Sequence, residues 1–127
     1  MRRIEIAVEN ITAYATLDGS PTADAVWEAL PFTAQGHRWG EEIYFEIPVR
    51  LAQSAKARDV LDAGELGYWP VGHAFCIFWG PTPASRGSEI RAYTPVNVFG
   101  RLEGDSRVFQ TVPDGAQIRV GQVTQNR

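Results

Sequence analysis

The residue types able to do chemistry in this chain crowd into its middle: both histidines and three of the four tryptophans lie between His37 and Trp79, together with Arg38, Glu41, Glu42, Glu46 and Cys76. Arg38 is the first of interest. Its guanidinium is always charged and carries five donors, so beside aromatic residues it would hold a carboxylate or amide oxygen more strongly than in water. Its plainer duty would be a surface ion pair with Glu41 or Glu42, worth ~0–1 kcal/mol. Glu42 with His73 could move a proton in a lyase or hydrolase. The competing reading makes His73 a structural histidine and leaves Glu42 and Glu46 solvated on one face of a strand. Cys76 sits between Phe75 and Ile77 with no nearby lysine or arginine, the setting of a small buried hydrophobe rather than a nucleophile. No cysteine or acidic cluster stands at ligand spacing from His37 or His73, so neither a metal nor a cofactor is expected. Gly72, Gly80, Gly87 and Gly100 follow no phosphate-loop spacing, and turns account for them.

These residues must be positioned by one small domain. At 127 residues, 44% hydrophobic and 21% charged, the chain is long enough for a core of its own, and residues 1–127 read as a single unit. A net charge of −3 argues against nucleic acid, which demands a basic face. No apolar run reaches the roughly 18 residues of a membrane span. Met1-Arg-Arg leads straight into an alternating pattern rather than a signal-peptide core, so the expected address is the cytoplasm.

Period-two alternation predicts strands over Ile4–Val8 and Ile11–Leu17, joined at Glu9-Asn10. Asp18 to Thr22 supplies a turn and helix-start chemistry. Ala23, Val26, Trp27 and Leu30 then fall on one face of a helix over Thr22–Leu30, which Pro31 ends. Gly36 to Gly40 reads as a break, and Ile43, Phe45 and Ile47 as the apolar face of a strand. Leu51 to Leu61 reads as a loop or short helical turn. Further strands are predicted around Leu66–Trp69, Ala74–Trp79, Val96–Leu102 and Gln117–Val123. Many short strands and one helix point to a mainly β fold, a closed antiparallel barrel with no free edges. Ile43, Phe45, Phe75, Ile77, Val96 and Val98 are expected to face its interior.

Four stretches, Trp39 to Pro48, Gly67-Tyr-Trp-Pro70, Phe75 to Pro83 and Pro95 to Arg101, together resemble the cyclophilin-like family of small bacterial and archaeal proteins, distant relatives of the cyclophilin prolyl isomerases. The resemblance implies a barrel of about eight antiparallel strands with the helix capping one mouth. It also raises prolyl isomerisation, in which an arginine donates to the prolyl amide beside an apolar proline slot and weakens an amide barrier of roughly 18–20 kcal/mol. Arg38, in Gly36-His-Arg38, is placed like that arginine, and Val98-Phe-Gly-Arg101 resembles one of the enzymes' strands. The enzymes' tryptophan and histidine have no counterpart around Arg91–Val96. The reading that follows is a small molecule or peptide segment held in an aromatic-lined groove formed by Arg38, Tyr44, His73, Phe75, Ile77 and Asn97, with no nucleic acid or membrane partner and a homodimer left open. The connection Pro81–Pro95, carrying Ser85, Arg86, Arg91 and Tyr93, is long for a barrel, and such loops are often functional.

Overall fold

The computed structural model describes residues 2–124. The chain runs through β1 (Arg3–Val8), β2 (Ile11–Leu17), α1 (Pro21–Ala29), β3 (Phe32–Gln35), β4 (His37–Arg38), β5 (Glu42–Glu46), β6 (Arg58–Leu61), β7 (Glu65–Trp69), β8 (Ala74–Phe78), β9 (Ile90–Leu102), a 3-10 turn (Ser106–Phe109) and β10 (Gln117–Val123). The fold is mainly β, as the alternation implies. Its ladders are antiparallel and follow the order β3-β10-β1-β2-β9-β7-β8-β5-β4, with β6 added to β9 off this path. The first hairpin turns at Glu9, which takes a left-handed φ of 55°. Ser20 caps α1 by accepting from the Ala23 N–H at 3.1 Å, Pro21 supplies a preset φ in the first turn, and Leu30 is already extended. The helix therefore sits within one residue of its expected bounds.

Closure of the sheet differs from the expectation. The ladder ends at β3 and β4, consecutive pieces of chain parted by Gly36. β3 pairs with β10, whereas β4 pairs with β5. At the seam the Gly36 N–H donates to Ala116 O at 2.7 Å and the Gly115 N–H donates to Gly36 O at 2.8 Å. A Cβ on Gly36 would stand 2.6 Å from Ile118 Cδ1, so any larger residue at the crossing must displace that buried side chain. In place of a closed barrel of about eight strands there is a ten-stranded antiparallel sheet with a seam. Gly36–Gly40 is not wholly a break, since it contains β4, and Leu51–Leu61, expected as a loop or short helical turn, is loop only as far as Ala57 and then forms β6.

Both faces of the central strands are covered. Ile43 and Phe45 on β5, Phe75 and Ile77 on β8, and Phe99 on β9 join Ile4, Ile6, Ala23 and Val26 in the interior cluster. There Phe75 stacks on Phe45 with centroids 4.8 Å apart and meets Phe99 edge-on at 5.1 Å. Cys76, Phe78, Ala92 and Val96 form a second cluster on the opposite face, with Tyr44, Trp69 and Val98 packed against it. Val96 and Val98 thus face away from the interior, contrary to expectation. A register shift against β7 between Leu66 and Gly67 places Phe99 in a bulge, and it takes the inward position instead.

Candidate functional site

The outer face of β5 and β8 carries a cavity of about 210 Å³. Alternation along β5 sends Glu42 and Tyr44 to this side while Ile43 and Phe45 go to the interior. Cys76 stands opposite Tyr44 in the β5–β8 register. Trp69 comes from the end of β7, Tyr93 and Ala92 from the first half of β9, and Trp39 from the turn between β4 and β5. That turn is tight: Gly40 has φ 63°, and a Cβ there would lie 2.8 Å from Thr82 Cα. Glycine lets it tuck under the loop before β9, which is itself braced by Thr82 Oγ1 donating to Arg91 O and by Ser85 Oγ accepting from the N–H groups of Thr82 and Arg91.

Four aromatic rings line this cavity, each nearly perpendicular to the next. Trp39 meets Tyr93 at 5.9 Å and 84°, Tyr93 meets Trp69 at 6.0 Å and 89°, and Trp69 meets Tyr44 at 6.1 Å and 79°. Trp69 is held in place by its indole N–H, which donates to Thr94 Oγ1 at 2.6 Å. Tyr93, 69% exposed, stands at the mouth.

Glu42 lies among these rings, only 5% exposed, and its Oε1 has no hydrogen-bond partner. Burial pushes its pKa up to about 8; the Cys76 thiol pulls weakly the other way. At neutral pH the group is therefore mainly a neutral acid in an apolar site, because removing a carboxylate from water disfavours its charge. Burial, reinforced by Glu42, also drives the Cys76 thiol well above its ordinary range. The thiolate that a nucleophile needs is not available.

The residues expected to share one groove are dispersed, and among them Tyr44 alone lines this box. Phe75 and Ile77 are fully buried in the interior cluster, on the opposite face of the sheet. Asn97 clamps the fold: it accepts from the Ser54 N–H at 2.8 Å and donates to Ala52 O and Thr22 Oγ1. His73 occupies the β7–β8 turn with φ 51°, its ring 3.1 Å from Arg50 Nη1. Glu42 and His73 flank opposite ends of the β5–β8 ladder, so no acid–histidine pair forms. Arg38 neither enters the box nor pairs with Glu41 or Glu42. Its guanidinium lies 5.1 Å from the Trp79 ring centroid and donates to the carbonyls of Gly40, Gln110 and Val112. Sequence reasoning passed over Trp39 and Trp69 as site residues; the clue was the density of aromatics around them, which serves a core equally well. Tyr93 lay in a connection marked as long, but β9 begins at Ile90 and only Pro81–Glu89 is loop.

A wider depression of about 1050 Å³ runs past the start of α1, lined by Ser20, Ser54, Lys56, Arg58 and Asn97. Its polar groups are largely engaged within the fold, with Arg58 bonded to both oxygens of Glu65 and Asn97 occupied as above. Among the described residues no three His, Cys, Asp or Glu side chains gather as a metal-binding group, and no helix is long and apolar enough to cross a membrane.

Residues 2–121 match the sequence model of a family described as cyclophilin-like. The solution structure of a hypothetical protein from Archaeoglobus fulgidus superposes with a TM-score of 0.83 at 33% identity, covering 96% of this chain and 95% of that one. Among curated proteins nothing matches.

Proposed function

The chain belongs to the cyclophilin-like family, and we propose that it is a binding module that takes a small ligand, or one side chain of a peptide, into the aromatic box on its outer face. One observation carries this reading: four rings, each nearly perpendicular to the next, line a cavity together with a buried acid that has an unpartnered oxygen. A fold gains nothing from leaving such an oxygen unpaired, at a cost of roughly 1–3 kcal/mol. Ligand sites, in contrast, are mostly apolar with a few aimed polar groups. The volume lies below the ~300–1,000 Å³ of drug-sized pockets, which favours a compact guest.

A prolyl isomerase reading would need Arg38 as donor. The carbonyls of Gly40, Gln110 and Val112 already take that guanidinium, and Phe75 and Ile77 cannot form a proline slot from inside the core. A protease-coupled assay on a short proline peptide should show no turnover above background.

The four tryptophans give the binding test its own controls. A fragment library titrated against ¹⁵N-labelled protein should shift the indole N–H signals of Trp39 and Trp69, and leave those of Trp27 on α1 and Trp79 beside Arg38 in place. Shifts confined to Trp27 or Trp79, or none across the library, would contradict the reading.

A further inference from the structure

Resting on that reading of the box, we infer that its guest is a compact methylated ammonium group, with Glu42 as the counter-ion and release of a proton accompanying binding. The walls supply the first argument. The face of each indole or phenol ring is the negative side of a quadrupole, and the four rings, set edge to face at 84°, 89° and 79° to their neighbours, line one cavity together. Cages of this kind suit quaternary ammonium groups.

The chemistry of the lining supplies the second. No lysine or arginine lines the cavity, so nothing repels a cation. The titratable groups facing Glu42 are the Cys76 thiol from β8, the Tyr44 phenol from its own strand and the Tyr93 phenol from β9; β7 and the β4–β5 turn contribute only the indoles of Trp69 and Trp39. His37, on β4, lies 5.3 Å from the Tyr44 ring, tilted by 36°, without lining the cavity. A primary ammonium is a compact, strongly hydrated charge that would have to give up its water to enter a lining made mostly of aromatic carbon. A methylated ammonium needs few acceptors or none.

The balance of charge supplies the third. An anion is disfavoured by the ring faces and by an acid that can ionise, and a neutral guest offers an ionised Glu42 no counter-charge. A cation beside Glu42 favours its ionised form, so the carboxyl that is mainly protonated in the empty box gives its proton to solvent as the guest enters. Through that linkage affinity strengthens with pH by up to about tenfold per unit below about pH 8 and levels off above it.

The source of the ammonium is a free small molecule or a methylated lysine side chain, and one experiment separates them. Choline, its neutral carbon isostere 3,3-dimethylbutan-1-ol, and a short peptide carrying trimethyl-lysine or unmodified lysine are titrated calorimetrically at pH 6, 7 and 8 in two buffers of different ionisation enthalpy. The inference expects choline or the trimethyl-lysine peptide to bind at least tenfold more tightly than its uncharged or unmethylated counterpart. It also expects tightening from pH 6 to 8 and close to one proton released per guest at pH 7. Whichever of the two binds more strongly names the source. In Glu42→Gln the pH dependence and proton release should vanish, while Tyr93→Ala, altering a ring at the exposed mouth, should weaken the cation without unfolding the protein. Equal binding of choline and its carbon isostere at Trp39 and Trp69 would overturn the cation inference and leave the box standing as a binding site. No binding of any probe at those tryptophans would overturn both.

Discussion

Strands β5 and β8 build two unlike rooms from alternating residues. On the inner side, Ile43, Phe45, Phe75 and Ile77 are fully buried and meet only apolar partners, with Phe75 touching the rings of Phe32, Phe45 and Phe99. On the outer side, Glu42, Tyr44 and Cys76 share a cavity with three more rings and leave one acid oxygen unpaired. The same strands thus present one face of close-packed apolar side chains and a second that carries a buried acid with an unpaired oxygen. Stability belongs to the first and recognition to the second.

Truncation should separate the two rooms most sharply. Phe75→Ala removes the ring at the centre of the interior cluster and should cost ~3–5 kcal/mol in denaturant melts, the range for a buried aromatic. A loss below ~1 kcal/mol would mean that the inner face is not the core described here.

The outer room should respond in the opposite direction. Glu42 has an ordinary pKa of 4.5 and a folded one of about 8, so between these values the folded protein keeps a proton that the unfolded chain has lost. Its contribution to stability therefore falls as pH rises from about 4.5 to about 8 and is flat beyond. Glu42→Gln should remove that slope and stabilise the protein at pH 8 by a few kcal/mol, roughly 1.4 kcal/mol for each pH unit of the window at most. The arginine-held carboxylates do not mask the effect. Glu65, which burial alone would raise, is pulled down by Arg58, and Glu89 is held low by Arg91, so their windows lie below the ordinary carboxylate value.

The smallest change tests where the line between the rooms runs. Arg38→Ala frees three carbonyls near the seam and should cost ~1–2 kcal/mol, while choline affinity stays within twofold of the parent protein. A loss of binding larger than the loss of stability would return Arg38 to the site.

How much of this was legible in the sequence follows from the same contrast. Alternation located β1, β2, β5 and β8 and one stripe located α1, because those signals are local. On β8 the residues expected inside, Phe75 and Ile77, do fill the core and so cannot also line a groove; with all five residues of Ala74–Phe78 buried, period two does not mark the other face as the one that carries the cavity. Val96 and Val98 were misdirected by the bulge at Phe99, a register shift against a strand distant in sequence. β3 and β4 were obscured by Gly36, which divides one run of chain between two partners. Neither duty expected of Arg38, a groove or a pair with Glu41 or Glu42, is the observed one, because its acceptors include the backbone carbonyls of residues 110 and 112, and a carbonyl leaves no mark on a sequence. Glu42 was weighed as an acid, but its solvation was inferred from strand spacing alone; the cover supplied by Trp39, Trp69 and Tyr93 comes from three separate elements.

The central claim is that a neutral carboxyl waits in an aromatic box, and its titration can be read directly. Following the Glu42 side-chain carboxyl carbon by ¹³C NMR from pH 4 to 10 should give a midpoint near 8 in the free protein, moving down by about two pH units or more in saturating choline. A midpoint near 4.5 in the free protein, unmoved by choline, would contradict the account.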